Sequence, residues 1–413
     1  MNPTSSDLRF CVIADDLTGA MDTGVGLAQA GLSAVITFSS ALQLRSDAVV
    51  ATTDSRAESA TEAYRRVKSV VERFRDHYIY KKIDSTLRGN IAAELQAVLD
   101  VKRAEHAVVC PAFPSIKRTV VNGVLLVDGV PVHETGFARD PVSPVIRSDI
   151  VELLRAGSGI AAESIPVADV EQGATHLAAR IQACESRAVV VDACEDRHLR
   201  SIADALVLGR DRWAPCGSGG LGAHIPLAFG FTARSESIPP APRGPVLLTV
   251  GSRNEVSVRQ LRRVIETLNP PVVSLEPRQF LTRSGRPHRV NQVAREVEGL
   301  LQKHDAVLLT SSLSDYAPQM RHVMAPVLGD IVTKVLERGM LAGLFLCGGD
   351  VARAVCGDDG IQALRILGGL QPGVIVGEAA GDRHAGLRVI TKAGGFGNED
   401  ALIDVMRHFT EGG

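Results

Sequence analysis

The chain has 413 residues, with 45 Lys and Arg against 47 Asp and Glu, a formal net charge of −2 and a hydrophobic fraction of 45%. At about 150 residues per domain this length holds two or three domains, and a near-neutral charge without a block of Lys or Arg excludes nucleic acid or an anionic membrane as the main partner. No apolar run approaches the roughly 20 residues of a membrane span, Met1–Asp7 lacks the basic and apolar parts of a signal peptide, and cysteines scattered without CxxC pairs suit a reducing cytoplasm. In chain order, Leu8–Ala14 predicts a strand and Gly19–Ala30 a helix stopped by Gly31. Ser33–Phe38 and Ala48–Thr52 predict strands, Glu58–Phe74 a helix, Tyr78–Ile83 a strand, Ile91–Leu99 a helix and His106–Cys110 a strand. Val124–Val132 carries Asp128-Gly129 between two apolar runs and predicts a hairpin, and Ala188–Asp192 predicts a buried strand.

Ser235–Pro245 holds four prolines between Pro239 and Pro245 and marks a stiff linker. Beyond it the alternation restarts, with strands at Val246–Val250, Ala306–Thr310, Leu344–Cys347 and Leu387–Thr391 and helices at Val256–Thr267, Met324–Arg338 and Glu399–Phe409. Strands alternating with helices predict an α/β chain of two doubly wound domains with largely parallel sheets, residues 1–238 and 245–413, joined by a proline-rich hinge.

Ligands of open α/β sheets bind beyond the carboxyl ends of the strands. In the first domain those ends carry Asp15-Asp16, Asp54-Ser55-Arg56, Lys82-Ile83-Asp84-Ser85-Thr86-Leu87-Arg88-Gly89-Asn90 and Pro111-Ala112-Phe113-Pro114. A single Asp or Ser there could serve only as a helix cap, but three charged strand ends in succession suit a small polyhydroxylated acid, with cations for its carboxylate and Asp or Ser for its hydroxyls. In the second domain the strand ends carry glycine: Gly251-Ser252-Arg253-Asn254, Gly348-Gly349-Asp350-Val351 and Lys392-Ala393-Gly394-Gly395-Phe396-Gly397. Such turns let backbone amides approach an anion and predict a phosphate cradle, with Lys392 as a point charge for the polyphosphate. Asp350 either holds Mg²⁺ or caps the following helix. No GxxxxGK[ST] occurs, and Gly217-Ser218-Gly219-Gly220-Leu221-Gly222 matches GxGxxG but follows Arg212-Trp213-Ala214-Pro215, which reads as no strand. No histidine has metal-ligand spacing, His133 beside Glu134 reads as a loop residue, and Cys110, Cys194, Cys216 and Cys347 read as structural thiols.

Ile13-Ala14-Asp15-Asp16-Leu17-Thr18-Gly19-Ala20, with Asp22-Thr23-Gly24, resembles the opening signature of the four-carbon acid sugar kinases. Lys81–Asn90, Pro111–Pro114, Pro131–Thr135 with Phe137–Pro141, Gly251-Ser252, Gly348–Asp350 and Lys392–Gly397 resemble its later motifs, so the likeness covers nearly the whole chain in order. It implies a sugar-acid-binding N-terminal domain, an ATP-binding C-terminal domain, Mg²⁺ between the phosphates and phosphoryl transfer in the cleft between the domains to the 4-hydroxyl. Leu17 and the Lys82–Arg88 run resemble the D-threonate branch most, while D-erythronate, L-threonate and 3-oxo-tetronate stay as alternatives. Carried over, Asp16, Arg56, Lys82, Ile83, Asp84, Ser85 and Arg88 hold the sugar acid, and Ser252, Gly348, Gly349, Asp350, Val351, Lys392, Gly394 and Gly395 hold ATP. Arg56 and Lys82 are expected to pair with the substrate carboxylate, and Asp16 or Asp84 to accept the proton. No metal ligand is assigned, and a homodimer is left open. Two departures stand out: Lys117 replaces the glycine usual before Arg118-Thr119, and Val351 replaces a common threonine. The readings from other classes are an NAD-dependent hydroxyacid dehydrogenase, which rests on the GxGxxG match, and a non-catalytic sugar-acid-binding protein.

Overall fold

A computed structural model describes residues 8–39, 42, 45–140, 142–233, 238–314, 320–381 and 383–410. Met1–Asp7, Pro141 and Ser235–Ser237, which entered the sequence reading, lie outside the described residues. The chain forms two compact units: Met1–Ala34 with Arg45–Ser235, and Val35–Leu44 with Glu236–Gly413. The segment from Val35 to Leu44, read from sequence as part of the first domain, therefore groups with the second unit.

Strands β1 (Phe10–Ala14), β2 (Ala34–Thr37), β3 (Ala48–Thr52), β4 (Tyr78–Lys82) and β5 (His106–Cys110) open the chain. They are followed by β6 (Arg118–Val121), β7 (Val124–Val127), β8 (Val130–Pro131), β9 (Ala162–Ile165), β10 (Ala188–Val191) and β11 (Trp213–Gly217). The first unit arranges them in the order β3-β1-β4-β11-β5-β10-β9, every neighbour parallel. Cys11, Ile13 and Ile79 pack with Val67 and Val71 of helix Ala60–Arg73 and Val98 of helix Ile91–Lys102. On the alternate side Phe10 meets the rings of Phe229 and Phe231, so the buried strands carry apolar residues on both faces. β6, β7 and β8 form a separate antiparallel sheet. Its β7–β8 turn is the expected hairpin, with Asp128 (φ 51°) and Gly129 (φ 81°) both left-handed as a type I′ turn requires. Asn122-Gly123 builds a second such turn between β6 and β7, and Asp192 at the end of β10 accepts both of its amides.

The second unit holds β12 (Val246–Val250), β13 (Val272–Ser274), β14 (Ala306–Thr310), β15 (Gly343–Cys347), β16 (Ala363–Gln371), β17 (Val374–Ala380) and β18 (Arg388–Lys392). The order is β13-β14-β12-β15-β18-β17-β16-β2. The first five run parallel, and β18-β17-β16-β2 are joined antiparallel. Leu248, Leu308, Phe345 and Ile390 pack on Leu402, Val405 and Phe409 of the last helix, Ala401–Thr410. The described part of the proline segment lies on this unit: Arg388 donates to the carbonyls of Pro239 (2.7 Å) and Pro240 (3.2 Å), and Ala241 is buried in the core. Among the described residues no helix is long and apolar enough to cross a membrane.

Trp213–Gly217, read as no strand, is central strand β11, and helix Gly219–Ala228 follows it. Pro215 is tolerated because β11 pairs with β5 along its length but with β4 only at Cys216 and Gly217, after the proline. The Gly217–Gly222 motif thus has the preceding strand that the sequence reading denied it and a helix after it, yet its glycines make room for protein. A Cβ at Gly220 would lie 2.8 Å from the Ala112 carbonyl, one at Gly222 3.0 Å from the Tyr80 ring, and one at Gly217 would strike the Cys110 carbonyl and stand 2.8 Å from the Tyr80 hydroxyl. Tight packing of strand against helix thus accounts for these three glycines. Gly217→Ala should cost about 1–3 kcal/mol through overpacking, read as a lower urea midpoint; an unchanged midpoint would show that the turn is open.

Candidate active site

Because β3, β1, β4, β11 and β5 are adjacent and parallel, their carboxyl ends bring the charged loops side by side. Arg56, four residues beyond the end of β3, is the centre of the cluster. Its Nε reaches Asp15 Oδ2 at 2.7 Å, and its Nη2 reaches Asp15 Oδ1 at 3.0 Å, Asp16 Oδ1 at 2.8 Å and Asp84 Oδ1 at 3.5 Å. Three carboxylates thus share Nε and Nη2 of one guanidinium, which leaves Nη1 as the nitrogen outside these contacts.

The carboxylates differ in how they are held. Burial pushes Asp84 up, but Arg56 and the two-pronged grip of Arg88 (3.0 Å from Nε and from Nη2) outweigh it and hold the carboxyl well below its usual range. Thr86 adds its amide and its hydroxyl to the same oxygen. Burial also pushes Asp16 up; there Arg56 opposes it, the nearby charges of Asp15 and Asp84 reinforce it, and the net shift is upward. Asp16 accepts from the Gly19 amide at 2.9 Å as cap of helix Leu17–Gln29. Arg88 continues to Asp140 at 3.2 Å, whose other oxygen takes the amides of Val142 and Ser143.

Adjacent residues of a strand face opposite sides of its sheet, and Lys81 and Lys82 use both. Lys81, fully buried, pairs with Glu94 on helix Ile91–Lys102 at 2.8 Å and donates to the carbonyls of Ile13 and Lys82. Glu94 accepts from Ser55 at 2.6 Å, and Ser55 meets Thr53, so this pair fixes the turn that carries Arg56. Glu94 was missed from sequence; the only signal was a second lysine in a buried strand, which needs a carboxylate on the covering helix. Lys82 donates to the Ile83 carbonyl at 3.0 Å and has no carboxylate within 4.0 Å among the described residues. A Cβ at Gly19 would lie 2.8 Å from both Lys82 Nζ and Asp16 Oδ1, so glycine there lets the ammonium and the acid stand close. Ile83 contributes backbone only, its amide donating to Gly217, and Ser85 meets the Arg118 guanidinium through its hydroxyl.

In the second unit the glycine turns converge on Ser252. A Cβ at Gly348 (φ 113°) would lie 3.4 Å from the Ser252 amide nitrogen, one at Gly394 would strike Ser252 Oγ, and one at Gly395 would lie 3.5 Å from Asn254. The amides of Gly349, Asp350 and Val351 open a short helix and have no acceptor within it. The Val351 side chain is buried against Gly251, so the position offers a backbone amide and no hydroxyl. Lys392 departs from its expected role: its ammonium, 2% exposed, donates to Ser257 and to the carbonyls of Ala393, Gly394 and Phe396 at 2.9–3.2 Å. It therefore ties down the loop and is no free point charge for phosphate, and burial pushes it below the usual lysine range. Cys110 and Cys216 are pushed up to about 12 by burial, which fits inert thiols.

A family described as a sugar-binding N-terminal domain matches residues 10–225, and one described as a nucleotide-binding C-terminal domain matches residues 247–402. A D-threonate kinase of Salmonella typhimurium is 32% identical, over 98% of this chain and 99% of its own. A D-erythronate kinase of Heliobacterium modesticaldum is also 32% identical, over 94% of each. A solved Salmonella typhimurium structure, described as a putative tRNA synthase, has a TM-score of 0.82 at 23% identity over 97% of this chain and 99% of its own, and supports the fold.

Two stability outcomes follow from this geometry. Glu94→Ala leaves the Lys81 ammonium buried without a partner and should cost about 3–5 kcal/mol, read from urea unfolding; a loss no larger than that of a surface substitution would show that the pair does not brace the turn. Asp84 has a lowered pKa in the fold, so it adds stability above the unfolded value of about 4 and loses it as pH falls toward the folded value. Asp84→Asn should flatten the acid limb of stability below about pH 4, whereas an unaltered limb would place the acid sensitivity in other groups.

Proposed function

We propose that this chain, which belongs to the four-carbon acid sugar kinases, transfers the γ-phosphoryl group of ATP to the 4-hydroxyl of D-threonate. The observation that carries the reading is the pair of carboxylates with opposite tendencies on one guanidinium: Asp84 held ionised as a brace, Asp16 with raised proton affinity beside Lys82. A carboxylate of raised pKa is the better proton acceptor. Asp16 orients the 4-hydroxyl and takes its proton late in the transfer, while Arg56 keeps the carboxylate aimed. Lys82 neutralises charge that develops at the reacting oxygen. Asp84 and Arg88 hold the Ile83–Ser85 backbone in place.

ATP fits the second unit's turns, where Ser252, the helix start at Gly349–Val351 and the close backbone at Gly348, Gly394 and Gly395 suit a triphosphate. Among the described residues no group of three His, Cys, Asp or Glu side chains could hold a metal ion alone. Mg²⁺ would arrive with the phosphates, because this ion keeps waters and phosphate oxygens and needs one or two carboxylates. Asp350, part-exposed in the first turn of its helix, is the carboxylate we assign to that shell. Mg²⁺ would supply charge neutralisation on the phosphates. Positioning and neutralisation are what phosphoryl transfer demands of a protein.

The test is ADP formation with D-threonate, D-erythronate, L-threonate and 3-oxo-tetronate. D-threonate should give the highest kcat/KM; a higher value for D-erythronate would move the assignment to that acid, and no ADP with any of them would favour a non-catalytic binding protein. Asp16→Asn should lower kcat by about 100- to 10,000-fold with little change in KM, and wild-type kcat in that variant would place the base elsewhere.

A further inference from the structure

Three guanidiniums border the Lys82–Arg88 loop, and their counter-charges differ. Arg56 is shared by Asp15, Asp16 and Asp84, and Arg88 is held by Asp84 and Asp140. Arg118 has no carboxylate within 4.0 Å among the described residues; its one side-chain hydrogen bond is to the Ser85 hydroxyl. It lies over the Phe137 ring at 5.8 Å, with Arg88 over the same ring at 5.6 Å. Burial lowers its proton affinity, and the more distant charge of Asp84 offsets this only in part, against Arg88. A half-buried cation without a counter-ion is costly unless a ligand supplies one.

The backbone serves the same placement. Lys117 is left-handed at φ 57°, a conformation that costs a non-glycine residue roughly 1–2 kcal/mol. The glycine-type turn is thus kept despite the lysine. It returns the chain so that Arg118 and Phe113 exchange both backbone hydrogen bonds, at 2.7 and 3.1 Å. The neighbouring Asp128 meets the Lys117 ammonium at 3.1 Å on the surface and acts on Arg118 only from beyond ion-pair distance. Strain of this kind is stored where a side chain must be held for function.

We infer that Arg118, with the Ser85 hydroxyl, is the receptor for the carboxylate of the four-carbon acid, so that the carboxylate end lies at Arg118 and the 4-hydroxyl end at Asp16. The inference rests on the kinase reading above and deepens it. It makes Arg118 the group that separates an acid from its uncharged analogue, because a fork of N–H donors suits a planar carboxylate and gains charge only from the ionised form.

The test uses the full-length protein with D-threonate and the neutral D-threonamide as acceptors. Arg118→Gln, which keeps length and a donor, should raise KM for the acid by about 10- to 100-fold. It should leave KM for ATP and for the amide near wild type, so the preference for acid over amide falls by the same factor. Arg118→Lys should recover part of that preference. An Arg118→Gln enzyme with the wild-type acid-to-amide ratio would overturn the inference, as would an equal fall in kcat for both acceptors, which is the mark of a merely structural residue. If Arg118→Gln does not fold, the ratio in Arg118→Lys decides in the same way. Should the wild-type protein phosphorylate none of the four-carbon acids, the kinase reading itself falls; wild-type activity with an unaltered ratio would sink the Arg118 assignment alone.

Discussion

The first unit's site depends on one guanidinium shared by three acids. Arg56 holds Asp15, Asp16 and Asp84 within 3.5 Å, and without it three carboxylates at the ends of buried strands would repel one another. Sharing is unequal, and the inequality sets the two carboxylates apart. Asp84 receives a second arginine and is locked as an anion, while Asp16 receives less and keeps its appetite for a proton. Beneath them Lys81 and Glu94 are a dry ion pair of high desolvation cost. Through Ser55 that pair fixes the turn from which Arg56 emerges.

The second unit solves a different problem with different residues. Its turns carry no cluster of charge; they bring backbone close to Ser252 through Gly348 and Gly394. The buried cation there, Lys392, spends its donors on loop carbonyls, as a lysine tucked under a glycine-rich loop must if the loop is to hold one shape. The first unit thus gathers charged side chains and the second close-packed backbone turns, a division that suits the proposed polyol acid and polyphosphate.

Much of this was legible in the sequence where burial alone decides. Ala48–Thr52, His106–Cys110, Val246–Val250 and Ala306–Thr310 are strands with the bounds that their apolar runs predict. Trp213–Gly217 was illegible because Pro215 argues against a central strand, and only the one-sided pairing before Cys216 removes the objection. The antiparallel strands Ala363–Gln371 and Val374–Ala380 were missed because Gly368, Gly369, Gly373 and Gly377 blur their alternation. Of the candidate site, the gathering of the strand-end loops was legible, since loops after adjacent parallel strands must lie side by side. The pairing within it was not legible: which cation meets which acid depends on strand order, and sequence shows neither the acids around Arg56 nor, among the described residues, their absence within 4.0 Å of Arg118.

Phosphorus NMR of the protein mixed with ATP, Mg²⁺ and D-threonate tests the central claim most directly. The account predicts ADP together with one new phosphomonoester whose phosphorus couples to the C4 protons, in equal amounts. Inorganic phosphate as the sole product, or a phosphate ester on another carbon, would contradict it.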